Sequence, residues 1–361
     1  MKKKLLLIHK TQFGYHNNAY KHCQYLKDEY DITFVCFDWG KKRVSLEGVK
    51  VLYVPLLGKH QGLLFSCWRK VSFMLYSFFL LLFVNPSVTI VYYFNGVVWF
   101  KRLFPKKRMI LDVRTLSVTD DPAYNAKEDN ILYKTALRYD FVTFISEGIR
   151  NKIGFPKEKS AILPLGADII SDEPKSFSTL RLLYVGTLTR RKLDLTLQGV
   201  RLFVLKYPDI EISYNIVGDG NRSSDLESLK TLSTRLNLKN IVTFHGRIPN
   251  TKLAPFFDKC NIGVGFVPKT DYFEYQPVTK VFEYAMSGLY SIATSTYENK
   301  RIITNKNGIL IEDTVESFAN GLEYIHLNRN KIESYDIRHS LDEHQWEKIV
   351  KNKLVPILEN I

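Results

Sequence analysis

A chain of 361 residues is too long for one ordinary hydrophobic core and suits two domains. Hydrophobic residues at 45% and charged residues at 24% exclude a disordered chain. A formal net charge of +14 asks for nucleic acid, an anionic membrane surface or a polyphosphate ligand, unless it is only a lysine-rich solvated surface. No zinc-finger or RNP sequence is present, which argues against nucleic acid. Cys23, Cys36, Cys67 and Cys260 lie far apart, without metal-ligand spacing. A reducing, cytosolic setting is therefore expected, with no disulfide and no metal site.

In chain order, Lys2-Lys3-Lys4 before Leu5–Ile8 starts like a signal peptide, but the apolar run stops at His9-Lys10. A basic turn feeding a buried strand fits better. Leu5–Ile8, Ile32–Phe37, Val51–Val54, Thr89–Phe94, Met109–Val113 and Phe141–Ile145 read as strands. They are apolar on both faces, as parallel strands under helices are. Asn18–Glu29 and Asn130–Arg138 read as helices between them. Val71–Val84 is uncharged over 14 residues, short of the roughly 20 that a bilayer span needs. It reads either as a core helix or as an interfacial helix touching lipid.

A polar break at Ser171–Ser176 separates a first domain, residues 1–172, from a second, residues 173–343. The alternation resumes with strands Arg181–Val185, Ile212–Val217, Ile241–Phe244, Ile262–Phe266, Tyr290–Ala293 and Ile309–Ile311. Helices are expected at Leu193–Lys206, Leu226–Leu236, Leu253–Lys259 and Val278–Met286. Strand–helix alternation of this kind implies parallel, doubly wound sheets, hence two Rossmann-like α/β domains. The segment His344–Leu358 reads as a final helix that Pro356 kinks or stops.

Four motifs of the second half carry chemistry. In Tyr184–Lys192 a strand runs into Gly186, and Arg190, Arg191 and Lys192 precede a helix. Ligands of open α/β sheets bind at strand C-termini, and helix amides favour anions. This is either a diphosphate cradle or a solvated basic turn. Ile216–Gly220 runs a strand into Gly218, as a cleft-lining loop or an ordinary tight turn. In Phe244–Pro249, His245 fits a satisfied polar residue at a strand end, and Arg247 faces phosphate or solvent. In Pro277–Gly288, Lys280, Glu283 and Tyr284 share a helix face. There a carboxylate suits the two hydroxyls of a ribose, and an ordinary surface Lys–Glu pair is the plain alternative.

In this order and spacing the four motifs resemble the C-terminal half of retaining glycosyltransferases of the GT-B fold, most closely the large family 4 group of bacterial polysaccharide enzymes. The match spans Arg181 to Leu322. The resemblance implies two facing Rossmann-like domains and no metal or other cofactor, with a nucleoside-diphosphate sugar as co-substrate. It places Arg191 and Lys192 on the diphosphate and Glu283 on the ribose. Lys280 and the loop Phe273–Gln276, with Tyr275, are placed near the sugar or phosphates. Gly186, Gly218 and Arg247 line the donor pocket. In the first domain, Gly14 is what remains of a glycine-rich loop facing the donor phosphates. Ile145-Ser146-Glu147 and Leu163–Asp168 match family turns, and the terminal helix, about residues 344–361, returns to the first domain.

Two departures bear on catalysis. The family carries two glutamates eight positions apart, but Tyr275 stands eight before Glu283, and Glu274 is the nearest acid. Where members place a His after the strand at Met109–Val113, this chain has Arg114. Arg114 and Glu274 are accordingly the candidate catalytic residues. The acceptor is expected to be a glycan, lipid-linked, met at the cytoplasmic face of an anionic membrane. A sugar-nucleotide epimerase of similar fold and a non-catalytic nucleotide-sugar or membrane-binding protein are the competing readings.

Overall fold

The computed structural model describes residues 2–55, 63–117, 119 and 121–361. The side chains of residues 63–67, Cys67 among them, and of residue 223 lie outside the described set. The chain divides into two compact units, Met1–Gly166 with Trp346–Ile361, and Ala167–Gln345.

In the first unit, strands β1 (Lys3–Ile8), β2 (Tyr30–Asp38), β3 (Val49–Pro55), β4 (Val88–Tyr92), β5 (Met109–Val113), β6 (Phe141–Phe144) and β7 (Ser160–Ile162) form one sheet. Its order is β3-β2-β1-β4-β5-β6-β7, parallel throughout. The winding reverses between β1 and β4. Helices α1 (Asn17–Leu26), α2 (Leu63–Phe83), α3 (Val98–Leu103), α4 (Pro122–Ala136) and α5 (Glu147–Lys152) connect the strands. Leu5 to Ile8 are wholly buried, as strands covered on both faces must be.

In the second unit, β8 (Leu180–Val185), β9 (Ile212–Val217), β10 (Val242–Gly246), β11 (Ile262–Gly265), β12 (Tyr290–Thr294) and β13 (Gly308–Ile311) form a parallel sheet. Its order is β10-β9-β8-β11-β12-β13, reversing between β8 and β11. The helices are α6 (Leu193–Lys206), α7 (Ser223–Arg235), α8 (Ala254–Lys259), α9 (Asp271–Glu274), α10 (Thr279–Met286), α11 (Asn299–Ile302), α12 (Val315–Asn328) and α13 (Ser334–His339). Glycines let α10 lie close on this sheet. A Cβ at Gly263 would stand 2.2 Å from the Tyr284 ring, and one at Gly265 would stand 2.7 Å from Val281.

The chain's last segment belongs to the first unit. Ile349, Val350, Leu354 and Leu358 pack in one core with Leu5, Leu26 and Tyr30. Leu354 is buried there, so trimming it to Ala costs about 2–5 kcal/mol. Trp346 stacks against Gly166, where a Cβ would come within 2.5 Å of the indole. The crossings between units run side by side, and the Ala167 amide donates to the His344 carbonyl at 2.8 Å. The boundaries therefore fall at Gly166/Ala167 and Gln345/Trp346 rather than in the polar stretch after Ser171.

Several elements differ from expectation. Pro356 does not end the last helix, which runs α14 (Trp346–Ile349), a π-helical turn (Val350–Leu354) and α15 (Val355–Asn360). In the π turn the Val355 amide donates to the Val350 carbonyl, widening the ladder just before the residue that has no N–H. Helix α4 starts at Pro122, earlier than the apolar pattern shows. Asp121 caps it, its carboxylate accepting from the Ala123 and Tyr124 amides at 2.9 and 3.2 Å. Helix α2 begins at Leu63 and is neither a fully buried core helix nor a span. Phe73, Ser77 and Leu81 face inward, while Val71, Leu75, Phe79, Leu82 and Phe83 are exposed. Among the described residues no helix is long and apolar enough to cross a membrane.

Candidate functional site

Strands β8, β9 and β10 lead into Gly186, Gly218 and Gly246 side by side. The Gly186 amide donates to Val217 O at 3.0 Å, and the Gly218 amide to Gly246 O at 2.8 Å. A Cβ at Gly218 would stand 1.8 Å from the Gly186 carbonyl oxygen, so only glycine fits. The turn after β8 is tied to the turn after β9 and to α7. The Leu188 amide donates to Asp219 O at 3.0 Å, and Thr189 Oγ1 accepts from the Asn221 amide at 2.7 Å and donates to Asp225 at 2.7 Å.

Past this anchor the backbone is costly. Arg190 and Lys192 hold φ of +59° and +49°, a left-handed conformation costing side-chain-bearing residues on the order of 1 kcal/mol or more each. Lys192 is also the N-cap of α6 and makes no capping hydrogen bond. Helix starts favour Ser, Thr, Asp or Asn there, and a cation opposes the helix dipole. Asp194 is the acid of the first turn. Arg191 is held by its guanidinium, 4.5 Å from the centre of the Phe273 ring. That contact joins the turn after β8 to the short helix α9 ahead of α10, at the point where the sheet's winding reverses; Phe273 and Glu274, expected in a loop, lie in that helix.

Helix α10 is anchored from below. The Val185 amide at the end of β8 donates to the Tyr284 hydroxyl at 2.9 Å. Lys280 donates to the Glu283 carboxylate one turn on, and their side chains are only 19% and 9% exposed. This is not a surface pair. Two charges so withdrawn from water lose hydration that their mutual attraction restores only partly. Glu274 is half-buried, and one carboxylate oxygen accepts from the Tyr297 amide at 2.9 Å. Tyr275 lies with its ring centre 5.6 Å from that of Tyr297. His245 Nε2 meets Asn215 Oδ1 at 2.9 Å, while Arg247 is exposed. Arg191 and Lys192, in the turn before α6, and Lys280 and Glu283, on α10, thus flank one reversal point, and Arg247 stands just after β10.

In the first domain Gly14 takes φ of +86°, and a Cβ there would collide with Val44 at 2.6 Å. Arg114 lies in a buried network: it donates to Asp112 at 2.7 Å and to Leu163 O at 2.9 Å, and meets His22 Nε2 at 3.4 Å. Its guanidinium points toward Asp112, the Leu163 carbonyl and His22.

The sequence reading passed over the histidines beside it. His9 and His16 have ring centres 4.3 Å apart, and both pack on Tyr92. The Thr11 amide donates to Nδ1 of His9 at 2.8 Å, and the Ala19 amide to Nδ1 of His16 at 3.3 Å. Each neutral ring therefore carries its proton on Nε2. Burial keeps both rings neutral, holding His9 well below the ordinary imidazole value and His16 at about 4. His22, wholly buried, meets the Tyr92 hydroxyl at 2.7 Å. The strand-end position of His9 and the loop before α1 were the available signals, but separation along the chain hid the cluster. Among the described residues no three His, Cys, Asp or Glu side chains converge as metal ligands.

Residues 179–328 match the family described as Glycosyl transferases group 1. No curated protein matches the sequence. Among solved structures, sucrose-phosphate synthase from Thermosynechococcus elongatus is similar at TM-score 0.78 and 15% identity, covering 99% of both chains. The Anabaena protein HepE, in complex with UDP and glucose, follows at TM-score 0.75 and 11% identity, covering 99% of this chain and 100% of its own. The lipopolysaccharide outer core galactosyltransferase WaaB, in its apo form, gives TM-score 0.73 and 15% identity, with 99% and 100% covered. The architecture of two parallel-sheet α/β domains is thus that of GT-B glycosyltransferases, with the family match confined to the second domain.

Proposed function

We propose that this chain is a glycosyltransferase that moves a sugar from a nucleoside-diphosphate sugar to a glycan acceptor, with retention at the anomeric carbon. The observation that carries the reading is the contact of Arg191 with Phe273. It draws the cationic turn before α6 and the Lys280–Glu283 helix to one reversal point, where ligands of open α/β sheets bind. A diphosphate there relieves the uncapped, cation-bearing start of α6, receiving charge-assisted hydrogen bonds from Arg191 and Lys192. Glu283 accepts the ribose hydroxyls, with Lys280 balancing its charge. The departing diphosphate is the charge that the chemistry must stabilise, and these cations meet it. Glu274 and Tyr275, at the end of α9, face the donor sugar in this reading. Arg114 acts by holding His22 and Asp112 in place.

UDP is the first nucleotide to test, because HepE is seen with UDP. Purified protein is incubated with UDP-, GDP- and ADP-sugars, following thermal shift and nucleoside-diphosphate release. Release with transfer or slow hydrolysis supports the reading. Interconversion of donors without release points to an epimerase, and binding without turnover to a non-catalytic protein.

For the acceptor we propose a lipid-linked glycan at an anionic membrane surface, in surface-polysaccharide synthesis. The support is α2, whose exposed Val71, Leu75, Phe79, Leu82 and Phe83 form an apolar face. Arg69 and Lys70 stand before that face, and Lys4 and Lys107 meet the chain just after it. Apolar burial with basic flanks is how interfacial helices bind anionic lipid. Sedimentation with phosphatidylglycerol vesicles at low salt, lost in Phe79→Ser/Leu82→Ser, is the expected result. A protein that stays in the supernatant at low salt would refute it.

A further inference from the structure

The first domain holds a cavity of about 430 Å³ that none of the donor residues lines. It opens beyond the C-terminal ends of β2, β4 and β5 and is closed by α2 and α4. Its volume falls within the range of small-molecule sites. One wall is aromatic: the Phe73 ring lies 4.4 Å from Phe37 and 5.7 Å from Phe94. A second wall is acidic. Glu128 accepts from Asn95 Nδ2 at 2.8 Å, and Asn95 Oδ1 in turn accepts from the Tyr93 hydroxyl at 3.2 Å. Asp129 Oδ1 is buried with no hydrogen-bond partner. A buried acceptor left open costs about 1–3 kcal/mol unless a ligand donor meets it. Cations complete the lining: Lys10 after β1, and Arg69 and Lys70 on α2.

These three chemistries belong to different parts of one molecule. Carboxylates beside aromatic rings suit the hydroxyls and C–H faces of a sugar. Lysine and arginine suit a phosphate. The third part is supplied by α2 itself. It turns Phe73 and Met74 toward the cavity and exposes Val71, Leu75 and Phe79, spaced one turn apart, on its outer side. We infer that the cavity seats a glycosyl phosphate carried on a hydrocarbon tail. The sugar lies against Glu128 and Asp129, the phosphate on Lys10, Arg69 and Lys70, and the tail leaves along the outer face of α2. This rests on the acceptor reading above and adds the acceptor's place and its three-part chemistry. Burial also holds the Asp129 carboxyl above the usual carboxylate range, in keeping with a group that gains from a donor.

The test uses the full chain and three probes below their micellar concentrations: octyl α-glucosyl phosphate, octyl glucoside and octyl phosphate. Binding is read by calorimetry without any donor. The three-part probe is expected to bind about tenfold tighter than either partial probe. Asp129→Asn and Lys70→Ala should each weaken it by about three- to tenfold, and Ser117→Trp should abolish binding by filling the cavity. Should Ser117→Trp fail to fold, Met74→Trp fills the space from α2 and reads the same loss. UDP binding should be unchanged in every variant. Equal binding by wild type and the cavity-filled variants overturns the inference, as does octyl phosphate matching the full probe. Failure to bind or turn over any nucleotide sugar would instead remove the glycosyltransferase reading, and the probe's dependence on the cavity would still be measured directly.

Discussion

At the reversal of the first sheet stand His9, His16 and Tyr92, whose rings touch and carry no charge near neutral pH. At the reversal of the second stand Arg191 and Lys192, in a turn where Arg190 and Lys192 take left-handed φ. The winding is the same in both: parallel strands that run outward from the middle in two directions. Such a sheet supplies a crevice at its reversal, and the crevice's chemistry is left to the loops. One domain has filled it with neutral donors and aromatic faces, and the other with fixed cations. At its histidine cluster the first suits hydroxyls and C–H faces, with Lys10, Arg69 and Lys70 lining the cavity in the same domain, and the second suits a polyanion.

The largest test of that division is Arg191→Ala/Lys192→Ala. Two charge-assisted contacts are worth about 3–6 kcal/mol together, so transfer should fall roughly 10²- to 10⁴-fold. The circular dichroism spectrum should stay native, since neither side chain is buried core. Unchanged turnover would remove the phosphate role. Gly218→Ala comes next. A methyl group at 1.8 Å from the Gly186 oxygen forces the strand ends apart, at a cost of about 1–3 kcal/mol or more. Scanning calorimetry should show the second domain's transition lowered and the first domain's unmoved; a joint drop would mean that the domains do not melt independently.

Glu283→Gln should weaken donor binding about 10-fold by loss of a charged acceptor. Because Lys280 then stays largely withdrawn from water without its partner, the melting temperature should fall as well. Lys280→Met/Glu283→Gln should restore the melting temperature but not the donor affinity, separating ribose binding from structural pairing. If the double variant recovers affinity too, the pair is structural only.

The smallest effect concerns pH. In the unfolded chain an imidazole takes a proton near 6.5, whereas folded His16 resists it down to about 4, and His9 and His22 also lie well below the usual value. Between those limits the unfolded state binds more protons. Stability is therefore complete above about 6.5 and declines as the pH falls toward 4. Melts at pH 7.5 and 5.0 should show the first domain losing more than the second, and His16→Gln should narrow the gap. An equal loss in both domains would show that the buried imidazoles do not govern the difference.

Much of the fold was legible along the chain because parallel strands buried on both faces leave continuous apolar runs. Leu5–Ile8, Met109–Val113 and Ile212–Val217 announce themselves in this way. Edge elements and polar helices do not. β7 is three residues long, and the first half of α4 is hydrophilic, so its start depends on Asp121 and Pro122 rather than on periodicity. The candidate donor motifs were legible because each is local: a strand, a glycine and a few charges close together along the chain.

The sequence by itself determined the alternation of strand and helix, the glycine turns after β8, β9 and β10, and the cationic start of α6. These rest on neighbours along the chain, where spacing is geometry. Only the tertiary structure decided what those parts meet. It put Arg191 on Phe273, tied Glu274 to the Tyr297 amide, committed Arg114 to Asp112 and His22, and gathered His9, His16 and Tyr92. Arg191 with Phe273, Glu274 with Tyr297, Arg114 with His22 and the histidines with Tyr92 each join residues on different parallel strands or their connections, far apart along the chain. Which face of α2 is buried was decided in the same way: an uncharged helix has no sequence mark for its inner side, and the positions of Phe37 and Phe94 selected Phe73 to face inward.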